Sequence, residues 1–312
     1  MKIVFYPTSK QKEKLLVRPN SHKNHSTLVK KVFKQVKEKG DKAILEFTNQ
    51  WDKVQLKKIK VDKQEIEKSA SLVSVRLKKA LKKAYKNIYF FHSCQKLSER
   101  KVETMRGVVC WRKEFPIESV GLYIPGGTSP LFSTVLMLAI PAKIAGCSEI
   151  ILTTPVQKNG KIHPAVLYAA KICKIDKVYQ VGGAQAIAAL HYGTQSIPKV
   201  LKILGPGNSI VSEAKKLAQT EGTAIDMLAG PSEVLIIADE SAHIDFLISD
   251  ILAQLEHGID SQAILLTTSK PLAESVKTKL PLALQKFSRK EILVKALSNV
   301  VIVVLRSIVT HT

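Results

Sequence analysis

The sequence lacks any long apolar run. No segment approaches the roughly 18 consecutive apolar residues that a membrane-spanning helix requires, and residues 1–7 are too short for the apolar core of a signal peptide. A length of 312 residues with 45% hydrophobic side chains is enough to bury two sizeable cores. We therefore expect a cytoplasmic globular protein of two or more domains, with no membrane partner.

Cysteine is scarce and widely spread. The four cysteines are separated by spacings that fit neither a zinc knuckle, nor a redox dithiol, nor a disulfide framework. We interpret them as buried thiols. They are Cys94, Cys110, Cys147 and Cys173.

Acidic residues are few, because 26 Asp and Glu stand against 48 Lys and Arg, for a net charge of +22. Clustered cations can displace counterions from nucleic acid. Here, however, the N-terminal lysines alternate with apolar residues at helical spacing and lack interleaved aromatics or an Arg-rich arm. We interpret them as solvated helix faces and expect no nucleic-acid partner, whereas the alternative predicts a salt-dependent affinity for DNA. They are Lys30, Lys31, Lys34, Lys37, Lys39, Lys78, Lys79, Lys82, Lys83 and Lys86.

The chain changes character after its first third. Residues 26–101 have a helical pattern in which Leu28, Val32 and Val36 share an apolar stripe. Short apolar runs then alternate with amphipathic helices, which predicts βαβ units around a parallel sheet. The predicted strands are 108–111, 120–123, 149–153, 178–181 and 200–204, and the predicted helices are 131–145, 164–173, 184–192 and 209–219.

A second strand–helix–strand unit is predicted from residues 233–238, 243–255 and 263–267. The last apolar run, 300–306, has no partner strand after it. We predict that it is an unpaired strand, and such a strand is an aggregation hazard.

Two local motifs could bind ligands, and each has a purely structural alternative. Gly205-Pro206-Gly207-Asn208 follows an apolar run and opens a helix, so its N–H groups could face a pyrophosphate. Ile210 replaces the third glycine of the dinucleotide fingerprint, and a tight turn would explain the same residues. Gln254 and His257 share one helix face and could hold a metal, or they could simply precede a helix end at Gly258.

Taken in order, five segments of the chain resemble the histidinol dehydrogenase family. The resemblance runs over about residues 21–269 and is densest after Val120. The segments are Val120 to Gly127, Val181 to Ala186, Gly205 to Asn208, Ala229 to Glu233 and Glu256 to Gly258.

The resemblance implies an NAD-dependent zinc enzyme of histidine biosynthesis that oxidises L-histidinol through the aldehyde to L-histidine, acting as a homodimer. It also implies NAD contacts at Tyr123, Gln185 and Asn208. Ser232 is implied as a substrate contact, and Gln254 and His257 as zinc ligands that also touch the substrate.

The implied fold consists of two Rossmann-like α/β domains, one inserted in the other, with a helical N-terminal segment. The expected boundaries are 1–20 for an N-terminal arm, 21–122 with 233–312 for the first domain, and 123–232 for the inserted domain. The first domain is expected to be incomplete at its C-terminal end.

The family pattern continues with a Gly-Pro-Glu-His segment that carries the general acid/base pair, an Asp zinc ligand, and an arm whose His completes the metal site across the dimer. This sequence contains none of them, residues 300–312 do not follow the family, and His311 is given no role. We therefore assign no catalytic residue and expect a C-terminally truncated member of the family. Loss of the acid/base pair alone should lower the rate of catalysis by about 10²–10⁴-fold. The alternative is a non-catalytic nucleotide-binding remnant.

Overall fold

The structure is a computed structural model that describes residues 1–15, 17, 25–96, 98–126, 130–228, 232–287 and 290–307. Contacts between residues divide the chain into two compact units, which are described separately. The smaller unit is Met1–Lys23 with Gly230–Thr312, and the larger unit is Asn24–Ala229. Gly127 and Ala229 to Pro231 of the family segments, and His311, lie outside the described residues.

Parallel strands dominate both units, which confirms the predicted α/β class. Within the described residues the strands are β1 (Lys2–Phe5), β2 (Lys101–Met105), β3 (Val108–Trp111), β4 (Ser119–Tyr123), β5 (Glu149–Thr153), β6 (Val178–Tyr179), β7 (Lys202–Leu204), β8 (Ala224–Ile225), β9 (Glu233–Ala238), β10 (Gln262–Thr267) and β11 (Val300–Val304).

The helices of the described residues alternate with these strands after a helical lead-in. They are α1 (Ser9–Leu15), α2 (Ser26–Lys39), α3 (Asp41–Phe47), α4 (Lys63–Leu72), α5 (Val75–Ser93), α6 (Phe132–Ala145), α7 (Pro164–Ile172), α8 (Gly183–Tyr192), α9 (Ser209–Thr220), α10 (Ile244–Leu255), α11 (Lys270–Ala283) and α12 (Lys290–Ala296). A π-helical turn covers Thr48–Asp52, and 3₁₀ turns cover Leu284–Lys286 and Leu297–Asn299.

The larger unit is a five-stranded parallel sheet, in the order β6-β5-β4-β7-β8, covered by helices on both faces. Alternate residues of β4 face opposite cores, as the two-residue period of a strand requires. Tyr123 belongs to the core formed with α2, α3, α8 and α9, and Leu122 belongs to the core formed with α4 to α7. Both faces are buried, so the strands consist of continuous apolar runs.

The contact pattern of the N-terminal helices differs from the domain boundaries expected from the sequence. Those boundaries grouped residues 21–122 with 233–312, but α2 packs against α8 and α9, α4 against α7, and α5 against α6. The apolar faces of these helices therefore complete the cores of the β4–β8 sheet. Whether the expected domains fold as separate units stays a prediction.

The smaller unit is a four-stranded parallel sheet in the order β1-β11-β10-β9. The prediction of an unpaired strand at 300–306 is wrong, because β11 pairs with β10 on one side and with β1 on the other. Its partners precede it in the sequence, and the N-terminal residues 2–5, expected to be an arm, supply one of them. A run that is apolar at every position is typical of a central parallel strand.

Two further expectations about exposure need correction. The buried stripe of α2 consists of Val29, Val32, Phe33 and Val36, while Leu28 is 38% exposed. Of the four thiols only that of Cys173 is buried; Cys147 is half-buried, and Cys94 and Cys110 are exposed. Burial raises the pKa of the Cys173 thiol to about 12.

None of the described helices combines the length and the apolar character needed to span a bilayer.

Candidate functional site

The carboxyl edge of the five-stranded sheet brings together three predicted site residues. The chain runs outward from β4 through β5 to β6 and then returns to the other side of β4 as β7, so the sheet has a switch point between β4 and β7. Ligands of open α/β sheets bind outside the carboxyl ends of the strands at such a point. Tyr123 ends β4, Gln185 lies in the first turn of α8 after β6, and Asn208 precedes α9 after β7.

Tyr123 is a buried anchor of this edge. Its hydroxyl oxygen accepts a hydrogen bond from the N–H of Gly183 at 3.2 Å, which links the end of β4 to the start of α8. Burial raises the pKa of the Tyr123 phenol to about 12; the Gly183 hydrogen bond opposes this shift, and the nearby negative charge of Asp52 adds to it. The phenol therefore stays protonated and keeps a hydrogen to donate.

The glycines of the edge are explained by close packing. A Cβ on Gly126 or on Gly182 would lie 2.3 or 2.4 Å from the ring of Pro155, so the turns after β4, β5 and β6 meet without side chains between them. Gly205 has φ +132°, and a Cβ there would lie 2.1 Å from the carbonyl oxygen of Tyr123. The structural alternative thus accounts for the glycines, and the glycine pattern by itself does not require a ligand.

Asn208 fixes the start of α9. Its Oδ1 accepts a hydrogen bond from the N–H of Val211 at 3.0 Å, which makes Asn208 the N-cap of a 12-residue helix. The positive end of the helix dipole is therefore held at the switch point, beside the ends of β4 and β7. This geometry is compatible with an anion at the same edge.

Buried polar atoms without partners are the features of the edge that packing does not explain. Asp52 Oδ2, Thr153 Oγ1 and Gln185 Oε1 are buried and have no hydrogen-bond partner among the described residues. Thr153 is paired with Tyr123 in the sheet register, so the two side chains leave the same face. An unmade hydrogen bond of a buried acceptor costs about 1–3 kcal/mol, so each of these atoms requires a partner, which is either an ordered water or a bound ligand.

Asp52 is a candidate site residue that sequence reasoning missed. It ends the π-helical turn Thr48–Asp52, whose Thr48 Oγ1 is also buried without a partner among the described residues. Desolvation raises the pKa of the Asp52 carboxyl. Nothing in the local pattern distinguishes this carboxylate from other acids of the helical lead-in, because its importance depends on a fold contact with the end of β4.

A second cluster in the larger unit looks catalytic but is structural. His191 Nδ1 lies 2.6 Å from Thr223 Oγ1, and its Nε2 lies 3.1 Å from Glu221 Oε2, in the pattern of a hydroxyl–imidazole–carboxylate triad. Thr223 and His191 are 3% and 4% exposed, so a substrate cannot reach the hydroxyl. Burial also lowers the pKa of His191. The cluster joins the end of α8 to the turn before β8, at the opposite edge of the sheet from Tyr123.

The other three predicted site residues belong to the smaller unit and share one edge of its sheet. Ser232 directly precedes β9, while Gln254 and His257 stand at the end of α10, which returns the chain to the starting edge of the next parallel strand. The Ser232 carbonyl accepts a hydrogen bond from the N–H of Gln262 at 3.0 Å. Asn299 Nδ2 donates to the carbonyls of Ile259 and Ser261 and so holds the turn that follows His257.

Gln254 and His257 present metal-compatible donors. The Gln254 side chain is half-buried and the His257 side chain is exposed. An imidazole nitrogen is a common zinc donor, and because zinc takes three or four protein ligands, the pair supplies only part of a coordination shell. Within the described part of the chain, no three His, Cys, Asp or Glu side chains form a group that could hold a metal ion.

Together, the doubly covered parallel sheet and its switch point define a Rossmann-like α/β protein with a candidate ligand site at the carboxyl edge of the sheet. The family model for histidinol dehydrogenase matches residues 17–311. The chain belongs to the histidinol dehydrogenase family, which is a family of oxidoreductases of histidine biosynthesis.

Individual relatives agree with this assignment. The histidinol dehydrogenase of Bacteroides thetaiotaomicron is 52% identical over 96% of this chain and 70% of its own length. That of Campylobacter jejuni is 48% identical over 99% of this chain and 72% of its own length. The crystal structure of histidinol dehydrogenase from Elizabethkingia anophelis matches with a TM-score of 0.94 and 45% identity, over 99% of this chain and 71% of that one.

The family match corrects one expectation from the sequence. The resemblance was placed at residues 21–269, and residues 300–312 were expected to depart from the family. The match extends to residue 311 and therefore includes β11. A short apolar strand carries few distinctive residues, so a comparison by motifs misses it.

Proposed function

We propose that the chain binds NAD at the carboxyl edge of the five-stranded sheet and acts in the oxidation of L-histidinol to L-histidine. The observation that carries this proposal is the group of buried, unpartnered acceptors at that edge. NAD offers hydrogen-bond donors on its riboses and its carboxamide, and when bound it accepts hydride. The proposal rests on the fit between those donors and these acceptors.

Each residue of the edge has a distinct part in the proposed complex. Gln185 Oε1 and Asp52 Oδ2 accept hydrogen bonds from the nucleotide, which satisfies atoms that have no partner among the described residues. Tyr123 accepts a hydrogen bond from Gly183 and donates its phenol hydrogen to the nucleotide, as the resemblance implies. Asn208 is the N-cap of α9 and so fixes the N-terminus of this helix beside the pyrophosphate. The helix dipole stabilises the negative charge of the pyrophosphate there.

The expected effect of replacing Gln185 with leucine separates binding from folding. Leucine is similar in size and removes an unsatisfied buried acceptor, so the free energy of unfolding should stay unchanged or rise. The affinity for NAD should fall about tenfold or more, because a hydrogen bond to the nucleotide is lost. Isothermal titration calorimetry with NAD, with denaturant unfolding alongside, measures both quantities.

Gln219 provides the matched control, since it is an exposed glutamine on α9 of the same unit. Gln219→Leu should bind NAD like the parent chain. An equal NAD affinity for Gln185→Leu and the parent would contradict the proposed location of the nucleotide.

A non-catalytic nucleotide-binding protein is the second candidate function, and the same unpartnered acceptors favour it. Formation of NADH from L-histidinol, followed by near-ultraviolet absorbance with zinc present, distinguishes the two. Binding with turnover supports the enzyme, and binding without turnover supports the second candidate. Oxidation of an alcohol to an acid removes four electrons, so complete turnover yields two NADH for each L-histidinol.

Zinc and substrate are proposed for the edge that carries Ser232, Gln254 and His257. Gln254 and His257 would hold the ion and also touch L-histidinol, and Ser232 would contact the substrate. A bound zinc ion supplies Lewis acidity, which polarises a coordinated oxygen. The two side chains fit as part of a zinc site, because the exposed His257 imidazole and the half-buried Gln254 amide stand three residues apart at the end of α10.

Replacing His257 with alanine should lower the zinc affinity of tag-free protein at least tenfold, since an imidazole ligand is removed. The measurement is competition with a chromophoric zinc chelator. His243→Ala is the control, because His243 is an exposed histidine at the other end of the same helix. An undiminished zinc affinity of the His257 variant would overturn this assignment.

A homodimer and a cytoplasmic location are proposed from the family alone. Sedimentation equilibrium measures the oligomeric state, and fractionation of the source cells measures the location.

A further inference from the structure

An ion pair of the larger unit lies beneath the loop that joins β7 to α9, with its ammonium buried and its carboxylate 26% exposed. Lys215 lies in α9 with only 2% of its side chain exposed, and its Nζ forms an ion pair with Asp226 Oδ1. The ammonium also donates to the carbonyl of Gly205 at 2.9 Å and to that of Met227 at 3.4 Å. An ammonium has three donors, and these contacts use them.

Asp226 completes the arrangement from the other side. Its Oδ2 accepts a hydrogen bond from the N–H of Gly205 at 2.7 Å, and its own N–H donates to the carbonyl of Ile203 in β7 at 3.2 Å. The pair therefore holds both backbone polar groups of Gly205. It also ties the end of β8 to the end of β7.

Gly205 connects this ion pair to the carboxyl edge of the sheet. It directly follows β7, has φ +132°, and lies against the carbonyl of Tyr123. Three residues later Asn208 caps α9. A shift of Gly205 would move Asn208 and the start of the helix, so the ion pair determines where the positive end of α9 stands relative to β4.

Burial of the Lys215 ammonium is hard to explain by stability alone. Removing an ammonium from water is costly, and apolar side chains of similar volume often stabilise a protein as well or better. Lys216, the next residue of α9, leaves its ammonium exposed. The structure therefore retains at Lys215 a charged contact whose hydrogen bonds all go to the site loop and to the end of β8.

We propose that Lys215 and Asp226 are positioning residues for the nucleotide: they fix the loop 205–208 at the switch point, without contacting the ligand themselves. This inference rests on the proposed NAD site and deepens it. Lys215 has no donor left for a phosphate, so its effect on binding passes through Gly205 and Asn208.

The test compares Lys215→Met, Asp226→Asn and the double variant with both changes, by calorimetric titration with NAD and by the denaturant midpoint. Each single variant should lose stability, and Asp226→Asn should lose more, because it leaves the buried Lys215 ammonium without its carboxylate. The double variant has no uncompensated charge, and its midpoint should recover toward that of the parent. Its NAD affinity should nevertheless stay about 10- to 100-fold below the parent, because the Gly205 carbonyl still lacks its charged donor.

Lys177→Met is the control, since Lys177 forms a partly exposed ion pair with Glu149 elsewhere in the same sheet. It should bind NAD within twofold of the parent. If the parent itself does not bind NAD, the proposed function fails and the inference fails with it. Two results would overturn the positioning role alone, given that the parent binds NAD. One is a double variant that regains NAD affinity together with stability, and the other is a set of variants that never lose NAD affinity.

Discussion

Replacing Gly205 with alanine is expected to destabilise the larger unit by more than about 4 kcal/mol and to abolish NAD binding. The new Cβ would lie 2.1 Å from the carbonyl oxygen and 3.0 Å from the carbonyl carbon of Tyr123. These are backbone atoms of a central strand that pairs with β5 and β7, so they cannot move aside cheaply. Denaturant unfolding and calorimetric titration with NAD measure the two effects.

Gly222→Ala is the control that measures the cost of backbone strain without a steric clash of the new Cβ. It has φ +101° but no heavy atom within 4 Å of an added Cβ, so alanine there meets only the strain, about 1–3 kcal/mol. Gly222→Ala should also bind NAD as the parent does. A cost for Gly205→Ala no larger than that for Gly222→Ala would mean that the close approach of the loop to Tyr123 is not a constraint on this fold.

Much of the fold could be predicted from local pattern. The strands at 149–153 and 233–238 have the predicted bounds, and the predicted helix starts at Pro164 and Ser209 are those of the structure. Such elements have clear period, length and flanking turn residues, and these signals are local. The helix at 209 also begins with a capping side chain, Asn208, directly before it.

What could not be predicted depends on contacts between distant parts of the chain. Lys215 and Lys216 are adjacent and chemically identical in the sequence, yet only Lys215 is buried, because the carboxylate of Asp226 meets it after folding. Asp52 is likewise an ordinary acid until the turn that carries it meets the end of β4. The motifs predicted Tyr123, Gln185 and Asn208 as site residues, which stays a prediction, and motifs cannot point to residues whose part is to support or complete a site.

Replacing Ile302 in β11 with alanine should destabilise the smaller unit by about 2–5 kcal/mol. Ile302 is fully buried and is paired with both Ile3 and Leu265, at the centre of the sheet. Truncation there leaves a cavity that strands paired on both sides cannot close. The measurement is denaturant unfolding, followed by a probe in this unit.

Ile237 on β9 gives the matched control for Ile302, because it has the same side chain in the same sheet but is 56% exposed. Ile237→Ala should change the free energy of unfolding by less than about 1 kcal/mol. The comparison also decides between the two interpretations of the final apolar run. If β11 were the unpaired strand expected from the sequence, Ile302→Ala would cost no more than Ile237→Ala and would reduce aggregation. A large cost at Ile302 alone means that the N-terminal strand β1 and the strand β11 are integral to the unit that carries Gln254 and His257.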